Sequence, residues 1–138
     1  MGVDFSPPDG RITPIFGGTV IYSGWNGEGG NVVIIRHTME DGRVFYSSYQ
    51  HLESPSPLKK GDSVGIDTFL GQMGNTGKSD GAHLHLQVFT MVNGPEYDNG
   101  LMPYSYSDTS FNGSSVAHGR VKNYDPLEVI RTGGSMIP

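Results

Sequence analysis

Residues 31–51, NVVIIRHTMEDGRVFYSSYQH, decide the fold. Asn31–His37 and Val44–His51 are runs of β-branched and aromatic residues, the side chains that suit a pleated, half-buried surface. Asp41-Gly42 stands between them, and an Asp-Gly pair flanked by two such runs predicts a β-hairpin. Outward from this hairpin the pattern repeats. Thr19–Ser23 (TVIYS) and His83–Val92 (HLHLQVFTMV) predict two more strands, and Ser63–Ile66 and Phe69–Met73 continue a turn-and-strand series. No window up to Met91 carries a 3.6-residue apolar period, so long helices are not expected there. One short helix is expected near the C-terminus, where Asn123–Ile130 (NYDPLEVI) offers a cap and a proline for a first turn. The expected fold is all-β: a mainly antiparallel sheet or flattened barrel with one short C-terminal helix.

Composition agrees. The 138 residues include 21 Gly and 9 Pro, a density of breakers that favours short strands joined by turns. The length fits one domain with a real core, and we read residues 1–138 as a single β domain. Residues 93–122 differ from the rest. They are rich in Gly, Ser, Asn, Asp and Tyr and lack periodicity, which marks a large loop insertion. The tail, Arg131–Pro138, is expected to fray.

Charge and cysteine content exclude several functions. The net charge of -5 argues against a phosphate backbone, so nucleic acid is not expected as a partner. With no Cys there is neither a disulfide framework nor a thiol nucleophile. No stretch approaches the roughly 20 apolar residues of a membrane span. The N-terminus, MGVDFSPPDG, lacks the basic and apolar regions of a signal peptide. Export would then be signalled elsewhere, or the chain is part of something longer.

The chemistry concentrates on histidine. In a strand, residues i and i+2 share a face, so His83 and His85 project side by side while Leu84 turns to the core. Two imidazoles near a carboxylate form a zinc-type environment. Taken alone, His-x-His is a weak signal, and a structural pair explains it as readily. Asp4 supplies a carboxylate just before the Pro7-Pro8 turn, although it also suits a turn cap. His51 closes an aromatic strand. His37 follows four apolar residues and Arg36 and reads as structural, and His118, inside the insertion, reads as solvated. Tyr49, Tyr97 and Asn31 are candidates for the wall of a substrate groove, tyrosine combining apolar contact with a hydroxyl.

Seven motifs in order, GVDF (2–5), PIFGGTVIYSG (14–24), GGNVVIIRH (29–37), YQHL (49–52), LKKGDSVG (58–65), GQMGNTGKSDGAHLHLQVF (71–89) and YDPLEVI (124–130), resemble the lysostaphin-type (LytM-type) zinc metallopeptidases. That family cuts peptide links in bacterial peptidoglycan. The resemblance implies Zn2+ as cofactor, with Asp4 and His85 as metal ligands and His51 and His83 as catalytic residues. It implies a peptidoglycan peptide as substrate and an extracellular, cell-wall-associated or phage-delivered setting. The family's remaining ligand, a histidine, would fall one position before Met1. Two other readings stay open: a non-catalytic relative that binds cell wall or serves as a scaffold, and a biotinyl- or phosphocarrier-like β domain, suggested by LKKGDSVGIDTFLGQMG.

Overall fold

The structure is a computed structural model that describes residues 3–26, 29–77, 81, 83–91 and 121–138. The hairpin read from the sequence forms its centre. β4 (Gly30–Thr38) and β5 (Val44–Leu52) pair antiparallel. Their turn is tied by the Asp41 carboxylate, which accepts from the Arg43 backbone N–H at 3.1 Å, and Gly42 takes a left-handed φ of 91°. Around this pair lie β1 (Val3–Phe5), β2 (Arg11–Ile12), β3 (Gly18–Asn26), β6 (Ser63–Val64), β7 (Gly71–Gln72), β8 (Leu84–Met91) and β9 (Val121–Tyr124). Seven of the nine form one antiparallel sheet in the order β1-β8-β5-β4-β3-β6, with β9 also on β8; β2 and β7 make a separate pair.

Alternation along β4, β5 and β8 divides this sheet into two faces. On one, Val33, Ile35, Tyr49, Leu52, Leu84 and Leu86 pack with Ile12, Val20, Val64 and Leu70. On the other, Val32, Ile34, Tyr46 and Phe89 form a second core with Met91 and Val121, the Tyr46 and Phe89 rings stacked 5.3 Å apart. β4 is therefore buried on both faces, and removing one of its large side chains would cost about 2–5 kcal/mol. The end of this second face nearest β1 is polar. There Asp4, His85 and Gln50 lie in register across β1, β8 and β5.

The register between β4 and β5 shifts once. Val33 pairs with Tyr49, but Asn31 pairs with Leu52, so two residues of β4 are matched by three of β5. The extra residue is a β-bulge, and such bulges re-aim side chains next to functional sites. Tyr49 and Leu52 both stay on the apolar face, while Gln50 and His51 lie between them. His51 has φ 64°, the only positive φ of a non-glycine residue among those described.

Two expectations are corrected at the C-terminal end. Val121 and Lys122, assigned to the insertion, belong to β9, so the expected loop ends earlier. The tail does not fray. The helix α1 (Pro126–Arg131), capped by the Asp125 carboxylate at Leu127 N–H, leads into a segment whose Ile137 is 1% exposed against Phe45, Val88 and Val129. The Arg43 guanidinium holds the carbonyls of Ser135 and Ile137. The sequence hid this docking because a single Ile carries no periodicity.

His37 is structural, as read. Its ring is 2% exposed between Phe16 and Phe45. Nδ1 lies 2.8 Å from the Gly17 carbonyl, which only accepts, so Nδ1 carries the proton and Nε2 accepts from Ser47 at 2.7 Å. Burial pushes its pKa down to about 4. The folded protein thus keeps His37 neutral while the unfolded chain protonates near the ordinary 6.5. Stability should be complete above pH about 6.5 and fall as pH drops towards 4, by up to roughly 3 kcal/mol from this residue. Urea unfolding of wild type and His37→Gln at pH 7 and pH 4.5 checks this. The variant should be less stable at pH 7, and the gap should close at pH 4.5; parallel losses in the two proteins would contradict it.

Candidate active site

Three strands and one bulge assemble the site. β1 brings Asp4 opposite His85 on β8, and a bridge from His83 to Gly74 holds the residue just before β8. The bulge turns His51 away from Tyr49 and towards this pair. The His51 ring centre lies 5.1 Å from that of His83 and 6.2 Å from that of His85. Asp4 Oδ1 is 2.8 Å from His85 Nδ1 and 3.6 Å from His83 Nε2. Asp4, His51, His83 and His85 are thus together, with His51 the most enclosed at 6% exposed.

Hydrogen bonds fix each imidazole. His51 Nδ1 lies 2.6 Å from the Thr76 carbonyl and His83 Nδ1 lies 2.6 Å from the Gly81 carbonyl. Carbonyls only accept, so in the neutral rings both Nδ1 atoms carry the proton and Nε2 is the acceptor nitrogen of each ring. Burial lowers the His51 pKa, opposed by the Thr76 bond, and so favours the neutral ring.

His85 is arranged the other way round. Its Nε2 lies 3.2 Å from Gln87 Oε1. The Gln87 amide is oriented by Gln50, whose Nε2 donates to Oε1 at 2.9 Å, and by Asn123, which accepts from its Nε2 at 3.3 Å. His85 therefore donates from Nε2, and Nδ1 presents its lone pair to the Asp4 carboxylate. Two acceptors 2.8 Å apart require a positive species between them, either a proton or a cation. Their separation is within half an ångström of the ~3.3 Å between ligand atoms each about 2.0 Å from a tetrahedral ion. The donor types and the Gln87 support both fit zinc, whose histidine ligands are characteristically oriented through the other ring nitrogen. Among the described residues no ready-made set of three or more His, Asp or Glu converges on this point.

The groove candidates fare differently. Tyr49 is fully buried on the apolar face, its hydroxyl accepting from Ile15 N–H at 3.0 Å and lying 2.7 Å from Ser47 Oγ. Plain alternation places Tyr49 beside His51; the bulge separates them, and Tyr49 is a core residue rather than a groove wall. Asn31 lies beside His51 at the β4–β5 junction, buried, its amide donating to the Leu52 carbonyl at 3.1 Å. Tyr97, His118 and nearly all of the 93–122 segment lie outside the described residues. Sequence reading missed Gln50, Gln87 and Thr76. Gln87 was findable, since it stands two residues after His85 in the same strand and so shares its face.

A model of peptidase family M23 matches residues 1–99. The chain belongs to that family. The catalytic domain of lysostaphin from Staphylococcus simulans superposes with a TM-score of 0.60 at 26% identity, over 94% of this chain and 77% of that one. A zinc-containing peptidase from Vibrio cholerae gives 0.55 at 32% identity, over 63% of this chain and 26% of that one. In sequence, the M23 chain is 36% identical over 90 residues to the peptidoglycan DD-endopeptidase ShyA of Vibrio cholerae, which covers 63% of it and 19% of ShyA. An uncharacterized metalloprotease of Buchnera aphidicola is 34% identical, over 64% of the M23 chain and 23% of the relative. The chain thus spans about a fifth of the length of these curated relatives. No described helix is long and apolar enough to cross a membrane.

The left-handed backbone at His51 makes its own prediction. An L side chain in that region costs roughly 1–2 kcal/mol, whereas at ordinary positions Gly is the less stable choice. His51→Gly should therefore be more stable than His51→Ala by roughly 0.5–1 kcal/mol in urea unfolding. The usual order, Ala above Gly, would show that residue 51 has an ordinary backbone.

Proposed function

We propose that this M23 chain is a zinc-dependent endopeptidase that hydrolyses peptide bonds in bacterial peptidoglycan. The observation that carries the reading is the facing pair of acceptors, Asp4 Oδ1 and His85 Nδ1, beside two imidazoles whose Nδ1 atoms are held by backbone carbonyls. Family membership supports peptidase chemistry, and the name of ShyA supports peptidoglycan as the substrate. In this reading Asp4 and His85 hold Zn2+, which supplies Lewis-acid polarisation of the scissile carbonyl.

The protein's own groups then manage the protons. A neutral Nε2 on His51 or His83 takes a proton from the attacking water as its oxygen bonds to the carbonyl carbon. An Nε2 proton on the other imidazole, taken from solvent before the water attacks, would donate a hydrogen bond to the developing oxyanion. The proton taken from water passes finally to the leaving amine nitrogen as the C–N bond breaks, and the carboxylic acid so formed gives its own proton to the amine, leaving a carboxylate and an ammonium group. Backbone carbonyls on both Nδ1 atoms keep the rings in the tautomer this exchange needs. Gln87 holds His85 so that Nδ1 stays aimed at the metal. Asn31 borders the groove in this reading. The reaction belongs at the cell wall, outside the cytoplasm or delivered there by a phage.

Digestion of purified peptidoglycan, followed by mass spectrometry of the released peptides, tests the proposal. Cleavage should stop with a chelator and return with zinc. His51→Ala and His83→Ala should each lower kcat by about 10²-fold or more while zinc stays bound. Asp4→Ala and His85→Ala should lose the metal as well. Turnover indifferent to the chelator would overturn the reading, and tight binding without cleavage would point to a non-catalytic cell-wall domain instead.

A further inference from the structure

Two oxygens of Thr76 make three hydrogen bonds at the bulge. Its carbonyl lies 2.6 Å from His51 Nδ1. Its hydroxyl donates to the Leu52 carbonyl at 2.6 Å and accepts from the Asn31 N–H at 3.1 Å. Leu52 follows His51 in β5, and Asn31 is its partner in β4. One residue therefore aims the imidazole and ties the two strands whose register shift exposes it. Gly30, at φ 69°, lies against the same two oxygens: a Cβ there would sit 2.4 Å from Thr76 Oγ1 and 2.6 Å from its carbonyl oxygen. Only a glycine lets the two backbones approach this closely.

We propose that Thr76 is the positioning residue of His51, its hydroxyl anchoring the turn so that its carbonyl holds the ring in the Nδ1-protonated form. Without the hydroxyl, Thr76 loses its hydrogen bonds to both strands, and the carbonyl drifts from Nδ1. The ring then samples both tautomers and both aims. The catalytic meaning of this rests on the peptidase reading, but the geometry does not.

The test reads the two separately. Long-range 1H–15N spectra of the metal-free, histidine-labelled full chain at pH 8 report which ring nitrogen carries the proton. Wild type and Thr76→Ser should show a single His51 tautomer, protonated on Nδ1. Thr76→Val, which keeps the shape and removes the hydroxyl, should show a mixture. On a cleavable peptide, Thr76→Val should lower kcat about 10-fold or more with KM changed less than about 3-fold, and Thr76→Ser should restore it. If Thr76→Val does not fold, Gly30→Ala, whose Cβ would displace the Thr76 hydroxyl and carbonyl, should give the same mixed spectrum. A tautomer unchanged in the folded variants overturns the proposal, as does a Ser variant as impaired as Val. Mixed tautomers in a protein with no peptidase activity would sustain the positioning and remove only the peptidase reading.

Discussion

The backbone of His51, turned to φ 64° where β5 carries one residue more than β4, governs the rest of the site. A regular strand would place His51 with Tyr49 on the apolar face, among Val33, Leu84 and Leu86. The bulge instead brings its ring to His83 and His85. Backbone of this kind costs of order 1–3 kcal/mol and persists only where surrounding contacts determine it. Here those contacts are the Thr76 carbonyl on Nδ1 and the Thr76 hydroxyl and Asn31 amide on the Leu52 carbonyl.

The two faces of the sheet use hydrogen bonds for opposite ends. On the apolar face, His37, Ser47 and Tyr49 form a chain that ends on the backbone of Gly17 and Ile15, and burial lowers the His37 pKa while raising that of Tyr49 to about 12. Every group is neutral and paired, so the chain stabilises the fold and has no proton to exchange. On the other face, Gln50, Gln87 and Asn123 hold His85 by its Nε2 and leave Nδ1 facing Asp4. That pairing of acceptors leaves room for a cation.

Much of this was legible in the sequence because it rests on period two. The hairpin around Asp41-Gly42 and the shared face of His83 and His85 follow from alternation alone, and Asp125-Pro126 announced α1. What alternation cannot show is its own interruption. Tyr49 is a groove candidate by its residue type, and plain alternation would set it beside His51; one inserted residue reverses that relation. β1, β2 and β9 have two to four residues each, too few to display a period. Thr76 was hidden for a different reason: its role depends on a backbone carbonyl and on contacts 24 and 45 residues away. The resemblance to zinc metallopeptidases located Asp4, although nothing in the Asp4 segment itself pointed to His85.

The central claim is that the bulge aims His51 at His83 and His85. Cross-relaxation between ring protons in the labelled full chain measures this directly, independent of metal and of activity. The account predicts contacts from the His51 ring to both the His83 and His85 rings, and none to the side chains of Val33 or Leu84. Contacts from His51 to Val33 and Leu84, with none to the histidine pair, would return it to the apolar face and contradict the site as described.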